Sequence, residues 1–361
     1  MIHIYVSTHK AYEFPKNPIY IPIQVGRALH DDLGYLPDNR GDNISEKNPY
    51  YSELTGIYWA WKNDREADIK GLCHYRRYLM NDQGHLWNEK EIRDTIGPDK
   101  PFDIISTKLI KLNDSYYDAF SVDHNAGDLD ALAAVVKEKH PEDYAEYEAV
   151  VHGSRTYFGN IFICPAEIFD EYASWLFDIL FELEKRIDPS KYDGYEKRVY
   201  GFLSEVLLLV FIRRHDLRVK ECKVAMMGEK KETAEMKDRI AGFFRAKDPE
   251  GARKYFMEGL KKKPDLLMET SDIYGELKLC MQMISTAEYE IQSEGRSFLE
   301  KNNDLDELIA EFRELNNIMQ RKESGLSDEA DEKFLRDHDF SKTALEIAEK
   351  IAKANKIPGS K

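Results

Sequence analysis

A mixed α/β unit followed by a helical region is the fold class this sequence predicts, and three observations predict it. Short strand-like runs alternate with amphipathic helical stretches up to about residue 225, as in a layered sheet with mostly parallel strands. The first run, IHIYV at 2–6, opens the chain and ends in a polar turn, Ser7-Thr8-His9-Lys10. Beyond about 225 the strand patterns stop, Lys, Glu and Asp dominate, and apolar residues recur at helical spacing. The division expected is therefore 1–225 and 226–361.

The elements follow in order. YIPIQVG at 20–26 carries a proline, and GDNISEKN at 41–48 reads as a loop. In PYYSELTGIYWAWKND, 49–64, Leu54, Ile57, Tyr58 and Trp61 share one helical face, with Ser52 as the expected cap. Tyr50, Tyr51, Trp59 and Trp61 are read as core first and as stacking surfaces second. DIKGLCHY is the second strand, and PFDIIST at 101–107 the third. Asp128 is placed to open an amphipathic helix that stops at Pro141. TYFGNIFICP at 156–165 reads as one strand, after which Pro165 starts a helix with Ile168, Tyr172, Trp175, Leu176, Ile179, Leu180 and Leu183 on one face. GFLSEVLLLVFIRRH, 201–215, is apolar all round after Glu205, as an enclosed helix is. In the last third, Leu277, Cys280, Met281 and Ile284, then Leu305, Leu308, Ile309 and Phe312, mark amphipathic helices.

Composition narrows the function classes. The 361 residues are 42% hydrophobic and 12% aromatic, a globular composition, and the formal net charge of -15 excludes a protein that coats nucleic acid. Four scattered cysteines form no CxxC and no disulfide framework, which points to a reducing cytoplasm. The N-terminus lacks the basic and apolar regions of a signal peptide. VLLLVFI at 206–212 is too short to span a bilayer.

Seven stretches in order resemble one family: IYVSTHK at 4–10, IPIQVG at 21–26, DNISEKN at 42–48, SELTGIYWAWKN at 52–63, GLCHYRRYL at 71–79, YFGNIFICP at 157–165 and RVYGFLSEVLL at 198–208. On these the chain resembles the bacterial domain-of-unknown-function 4422 group of capsular or exopolysaccharide biosynthesis glycosyltransferases, over residues 1 to about 225. The resemblance implies a GT-A-like domain, a nucleotide-sugar donor, UDP by family habit, and hexosyl transfer to a growing capsular, exopolysaccharide or O-antigen glycan or a lipid-linked acceptor. Galactose, as pyranose or furanose, is the sugar it suggests. An enzyme of this kind works in the cytoplasm at the inner face of the membrane, with peripheral membrane association as an expected partnership; the C-terminal helices lie outside the resemblance, and their amphipathic pattern by itself leads to the expectation of homo-oligomerisation through them. A rival from another class is a non-catalytic assembly protein of a polysaccharide export machinery that binds a nucleotide sugar as a signal.

The residues bear on this chemistry as follows. Departure of a nucleoside diphosphate builds negative charge that the site must stabilise. GT-A enzymes use a divalent metal on an Asp-X-Asp at a strand end; no clear motif of that kind follows a strand here, and the position after GLC holds His74-Tyr75-Arg76-Arg77. Arg76 or Arg77, with His74, is expected in the metal's place, because guanidinium matches phosphate geometry and stays charged. Alternation along an extended chain sends His74 and Arg76 to one side and Arg77 to the other. The competing account is an arginine pair anchoring a carboxylate such as one in DNISE. Ser7, Thr8 and His9, at the carboxyl end of the first strand, either meet the nucleotide or only cap their turn. Asp42, Asn43 and Lys47 either reach the donor or form a plain polar turn. Glu205 is the candidate base for an inverting transfer, at a helix start whose dipole keeps a carboxylate ionised; its competing role is to favour that dipole. Relatives continue this motif with Arg where Val206 stands, so Arg198 is the candidate substitute. Asn160 and His124, the latter beside Asp123, are candidates for the acceptor or the transferred sugar.

Overall fold

The computed structural model describes residues 1–267 and 271–354, less the side chain of Asp123 and of two residues near 264. The chain divides into two compact units, Met1–Met227 and Gly228–Lys361.

The strands of the first unit are β1 (Ile2–Thr8), β2 (Tyr20–Gln24), β3 (Leu36–Pro37), β4 (Ile69–His74), β5 (Arg77–Met80), β6 (Ile104–Thr107), β7 (Ile110–Lys111), β8 (Arg155–Thr156), β9 (Phe162–Pro165) and β10 (Val219–Met226). Eight form one sheet in the order β3-β2-β1-β4-β5-β10-β6-β9, with β9 also paired to β4, while β7 and β8 pair separately. The pairs β1–β2, β1–β4, β2–β3 and β6–β10 are parallel. The pairs β4–β5, β5–β10, β4–β9 and β6–β9 are antiparallel. The sheet is thus mixed, which corrects the expectation of a mostly parallel one. Two residues, Tyr75 and Arg76, separate β4 from β5, and a link that short admits only an antiparallel hairpin. It escaped sequence reading because the turn carries no Gly, Asn or Asp. Pro22 sits within β2 because β3 flanks the outer side of that strand only from Ile23 onward.

The helices of this unit are α1 (Asn48–Tyr51), α2 (Leu54–Asn63), α3 (Glu89–Thr95), α4 (Tyr116–Asp123), α5 (Ala126–Lys139), α6 (Tyr144–Val151), α7 (Ala166–Leu183) and α8 (Val199–Arg214). Tyr5, Ile23, Leu72 and Phe162 on one sheet face pack into a core with α2, α5, α6, α7 and α8. Ile4, Val6, Cys73, Ile105 and Ile163 on the other face meet Trp87, just ahead of α3, and Ile92 within it. Leu203, Val206, Leu207 and Val210 make α8 the enclosed helix its composition predicts, each fully buried; truncating one of these leucines to Ala costs about 2–5 kcal/mol. Tyr51 stacks near Phe177 and Trp61 lies parallel to the Phe177 ring at 6.0 Å, so these aromatics serve the core.

Three local expectations change. Ser52 does not cap α2: with φ 51 it closes α1, and α2 starts two residues on. Asn125, not Asp128, caps α5 by accepting from the Gly127 N–H, while buried Asp128 accepts from the Tyr192 hydroxyl at 2.6 Å. The run 156–165 is two strands broken at Gly159 and Asn160, whose φ values are 89 and 50.

All elements described in the second unit are helical: α9 (Lys231–Arg245), α10 (Pro249–Lys262), α11 (Glu276–Glu294), α12 (Leu305–Glu323), α13 (Glu329–His338), α14 (Lys342–Ala354) and two short turns. Asp248 accepts from the Gly251 N–H and Pro249 takes the first helical position, so α10 starts where a donor is not missed. Ile240, Phe244, Phe256, Leu277, Cys280, Ile284, Leu308 and Phe312 fill this core. Met281 lies outside it, 42% exposed, and Met283 occupies the interior instead. Among the described residues no helix is long and apolar enough to cross a membrane.

Candidate active site

Parallel pairing brings the carboxyl ends of β1 and β4 together, with Ser7 opposite His74 and the Tyr75 N–H donating to the Ser7 carbonyl at 3.1 Å. In the hairpin His74 pairs with Arg77, and cross-strand partners present their side chains on the same face. This overturns the extended-chain alternation: Arg77, not Arg76, stands with His74. Arg76 occupies the turn, 6% exposed, and its carbonyl accepts from the Met227 N–H at 2.8 Å.

The break at Gly159-Asn160 is the second part. The Gly159 N–H donates to Glu205 Oε1 at 2.9 Å, and its backbone also hydrogen-bonds His74. A Cβ at Gly159 would come 3.4 Å from Arg77 Nη1. Asn160 Nδ2 donates to Glu53 Oε1 and to Ser204 Oγ, both at 2.9 Å, and Ser204 Oγ donates to the Gly201 carbonyl at 2.7 Å. Asn160 Oδ1 and His74 Nε2 are buried without a protein partner. Four elements therefore meet at one turn: the β4–β5 hairpin, the α1–α2 junction, α8 and the loop before β9. Gly159→Ala is expected to destabilise the protein by about 1–2 kcal/mol in urea unfolding, because the left-handed conformation penalises a Cβ.

Charge follows from enclosure. Glu205 lies in the second turn of α8, which begins at Val199, and not at the helix start; the dipole acts mainly within the first turn. Burial, then the Glu53 carboxylate, push its carboxyl up to about 8, while the Gly159 N–H, Arg77 and Arg198 pull against them. The expectation of a dipole-ionised carboxylate is corrected: desolvation wins. Glu205, His74 and Arg77 all remain only half-buried, so the group is enclosed by protein yet reachable. Burial pushes His74 down to about 4, with Arg77 and Arg198 adding to the effect and Glu53 opposing it. His74 is thus neutral at physiological pH and offers hydrogen bonding, not charge. Burial also lowers Arg77, against the pull of Glu205 and Glu53, and a guanidinium retains its charge through such a shift. The carboxylates beside Arg77 are these two, and not one from DNISE.

Arg198 Nε donates to Ser52 Oγ at 2.9 Å, and its guanidinium lies 5.6 Å from the Tyr195 ring centre and 5.5 Å from that of Phe202. His124 packs on Phe202 at 4.4 Å and Phe120 at 4.6 Å, so it joins the site through the aromatic ring that carries Arg198. The side chain of Asp123 lies outside the described residues. Thr8 Oγ1 donates to the Lys10 carbonyl and accepts from its N–H, a turn cap, and His9 meets the Tyr75 ring edge-on at 5.7 Å. Asp42 accepts from the Tyr58 hydroxyl at 2.9 Å, Asn43 bridges Gly41 and Ser45, and Lys47 holds both oxygens of Glu184 at 2.7 Å. These bonds tie the 42–47 loop to α2 and to the end of α7, and none of them reaches the Glu205 group. Fully buried Asp38 fastens the same loop by accepting from the Ser45 hydroxyl, and it also accepts from the Gly26 and Arg27 N–H groups and the Thr55 hydroxyl.

Glu53 is the site residue that sequence reading missed. Its signal was a carboxylate directly after Ser52 in a stretch where helical spacing drew attention to the apolar residues.

Among the described residues no grouping near Glu205 suits a divalent ion. Glu53 and Glu205 face a guanidinium and are bonded by N–H donors, an arrangement that disfavours a cation. Asp128 and Asp130, an Asp-X-Asp in form, lie within α5 and accept from the Tyr192 and Tyr117 hydroxyls. His140, Glu142 and Asp143 place ligand atoms within 4.8 Å of one another, but His140 bonds Asp178, and Asp143 bonds Trp175 and Arg214.

Residues 3–216 match the sequence profile of a family described as Domain of unknown function (DUF4422). Among solved structures the chain is similar to the WbbM bifunctional glycosyltransferase in its apo form, with a TM-score of 0.57 and 30% identity, over 63% of this chain and 45% of that one. It spans less than half the length of that enzyme. No curated protein matches the chain.

Proposed function

The chain belongs to the DUF4422 family, and from that premise we propose that residues 1–227 form a GT-A-like glycosyltransferase acting on a nucleotide sugar. The donor proposed is UDP-linked, with galactose in pyranose or furanose form, and the acceptor a growing surface glycan, capsular, exopolysaccharide or O-antigen. The likeness to a solved glycosyltransferase supports this reading. The observation that carries it is Glu205, half-buried beside Arg77 and His74 where the parallel strands β1 and β4 end. Ligands of α/β sheets bind at that edge.

Glu205 serves as the base that takes the proton of the acceptor hydroxyl as it attacks the anomeric carbon from the face opposite the leaving group. A carboxyl near 8 is a stronger base than an ordinary glutamate and is still substantially ionised at mildly alkaline pH. Arg77, supplemented by Arg76 in the turn, stabilises the charge that grows on the departing diphosphate. Neutral His74 positions the donor by hydrogen bonding, and Ser7, Thr8 and His9 flank the nucleotide. Asn160 and His124 lie toward the sugar and the acceptor. Because the carboxylates here are engaged with Arg77, no step is routed through a metal. The helical unit is proposed to mediate self-association, and the enzyme to work at the cytoplasmic face of the membrane.

A thermal-shift screen of the purified chain against a nucleotide-sugar panel, with and without chelator, tests this. One donor at ~100 times its Kd adds about 2.7 kcal/mol of stability, and the rise in Tm is expected to survive chelation. Tm elevation without turnover in the presence of glycan acceptors supports the assembly-protein reading, and no elevation by any nucleotide sugar removes both.

A further inference from the structure

We propose that Glu53 is a positioning residue for Glu205: by holding Asn160 it fixes the Gly159 N–H on the Glu205 carboxylate, and its own charge governs when Glu205 carries a proton. The inference rests on the reading of Glu205 as the base, but its test does not need turnover.

The geometry is a short chain of bonds. Glu53, 9% exposed, follows the Ser52 break, and its Oε1 receives the Asn160 amide at 2.9 Å. Asn160, 1% exposed, has a left-handed backbone with φ 50, a conformation that a non-glycine residue keeps only where its surroundings hold it. The same amide bonds Ser204, the residue before Glu205, and the residue before Asn160 donates its N–H to Glu205 at 2.9 Å. Glu53 therefore restrains the Glu205 carboxylate through the turn that binds it. The groups acting on Glu205 from the surrounding elements are Glu53 at the α1–α2 junction, the Gly159 N–H before β9, Arg77 of β5, Arg198 ahead of α8 and Tyr116 of α4. Glu53 is the one among these whose charge opposes ionisation of Glu205.

Carbon-13 NMR of the full chain labelled at glutamate Cδ, with Glu205 assigned by loss of its resonance in Glu205→Gln, reads the proton directly. In Glu53→Gln the amide oxygen still accepts from Asn160 while the charge is gone, and the Glu205 midpoint is expected to fall by about half a unit or more. Asn160→Gly keeps the backbone conformation and the Glu53 charge but deletes the anchor; the Gly159 bond loosens and the midpoint is expected to rise. Opposite movements, each with an unchanged circular dichroism spectrum, support the proposal. A midpoint that stays put or rises in Glu53→Gln overturns it, and so does an unmoved midpoint in Asn160→Gly. If Glu53→Gln does not fold, the Asn160→Gly result decides. Glu205 that titrates as described in a chain that turns over no sugar separates failure of the transferase reading from failure of this one.

Discussion

Glu205→Gln is expected to lower sugar transfer by about 10²–10⁴-fold, the range for loss of a general base, and at the same time to raise the melting temperature. The two effects share one cause. The carboxyl is enclosed and shifted from 4.5 to about 8, so the native protein holds a proton that the unfolded chain releases throughout that window. Stability from this group is complete below pH 4.5 and drains away as pH rises through 8. Glutamine loses nothing over the same range. The variant is therefore expected to melt about 2 °C or more above the parent at pH 8, the gap closing toward pH 4.5, as calorimetry at several pH values will show. In the parent, about a tenth of the carboxyl is ionised at pH 7, so turnover should climb roughly tenfold per pH unit below the midpoint and level off above it. Full activity in Glu205→Gln, or a flat profile from pH 6 to 8, would remove Glu205 from the base role.

Replacement of Arg77 by Met is the second large effect. It strips the guanidinium that stands with Glu53 and Glu205, leaving the Glu53 carboxylate without that cation and pushing Glu205 further toward its protonated form. We expect a loss of about 2–4 kcal/mol in urea unfolding at pH 7, less than the ~3–5 kcal/mol of a fully buried pair because the site keeps solvent access. Donor affinity should drop at least ~10-fold, the worth of one charge-assisted hydrogen bond. At about pH 9, where the parent's Glu205 is ionised, adding Glu205→Gln to Arg77→Met removes the charge that Arg77 had offset, so the double variant should there recover roughly 0.5–3 kcal/mol relative to the sum of the singles. Strict additivity would show that the two side chains do not interact.

Much of the fold was legible because it is written in local patterns. The period-two run of β1, the enclosed composition of α8, Pro165 ahead of α7 and the family motifs all depend on residues close in the chain. The strands β5 and β10 were missed for a reason of the same kind: neither is announced by a turn dipeptide, and both are specified by partners far away in sequence. Ser52 reads as a helix cap until its φ of 51 is seen.

The site divides along the same line. Residue chemistry and motif order by themselves determined the family and which arginines, histidine and glutamate to watch, since charge and donor type belong to a side chain wherever it sits. Which arginine stands beside His74, that Glu53 shares the site, and that burial pushes the Glu205 carboxyl up were decided only by the tertiary structure. A two-residue turn reverses the facing of a strand without any mark in the strand's own periodicity, and enclosure changes the free energy of a charge by bringing together segments more than a hundred residues apart.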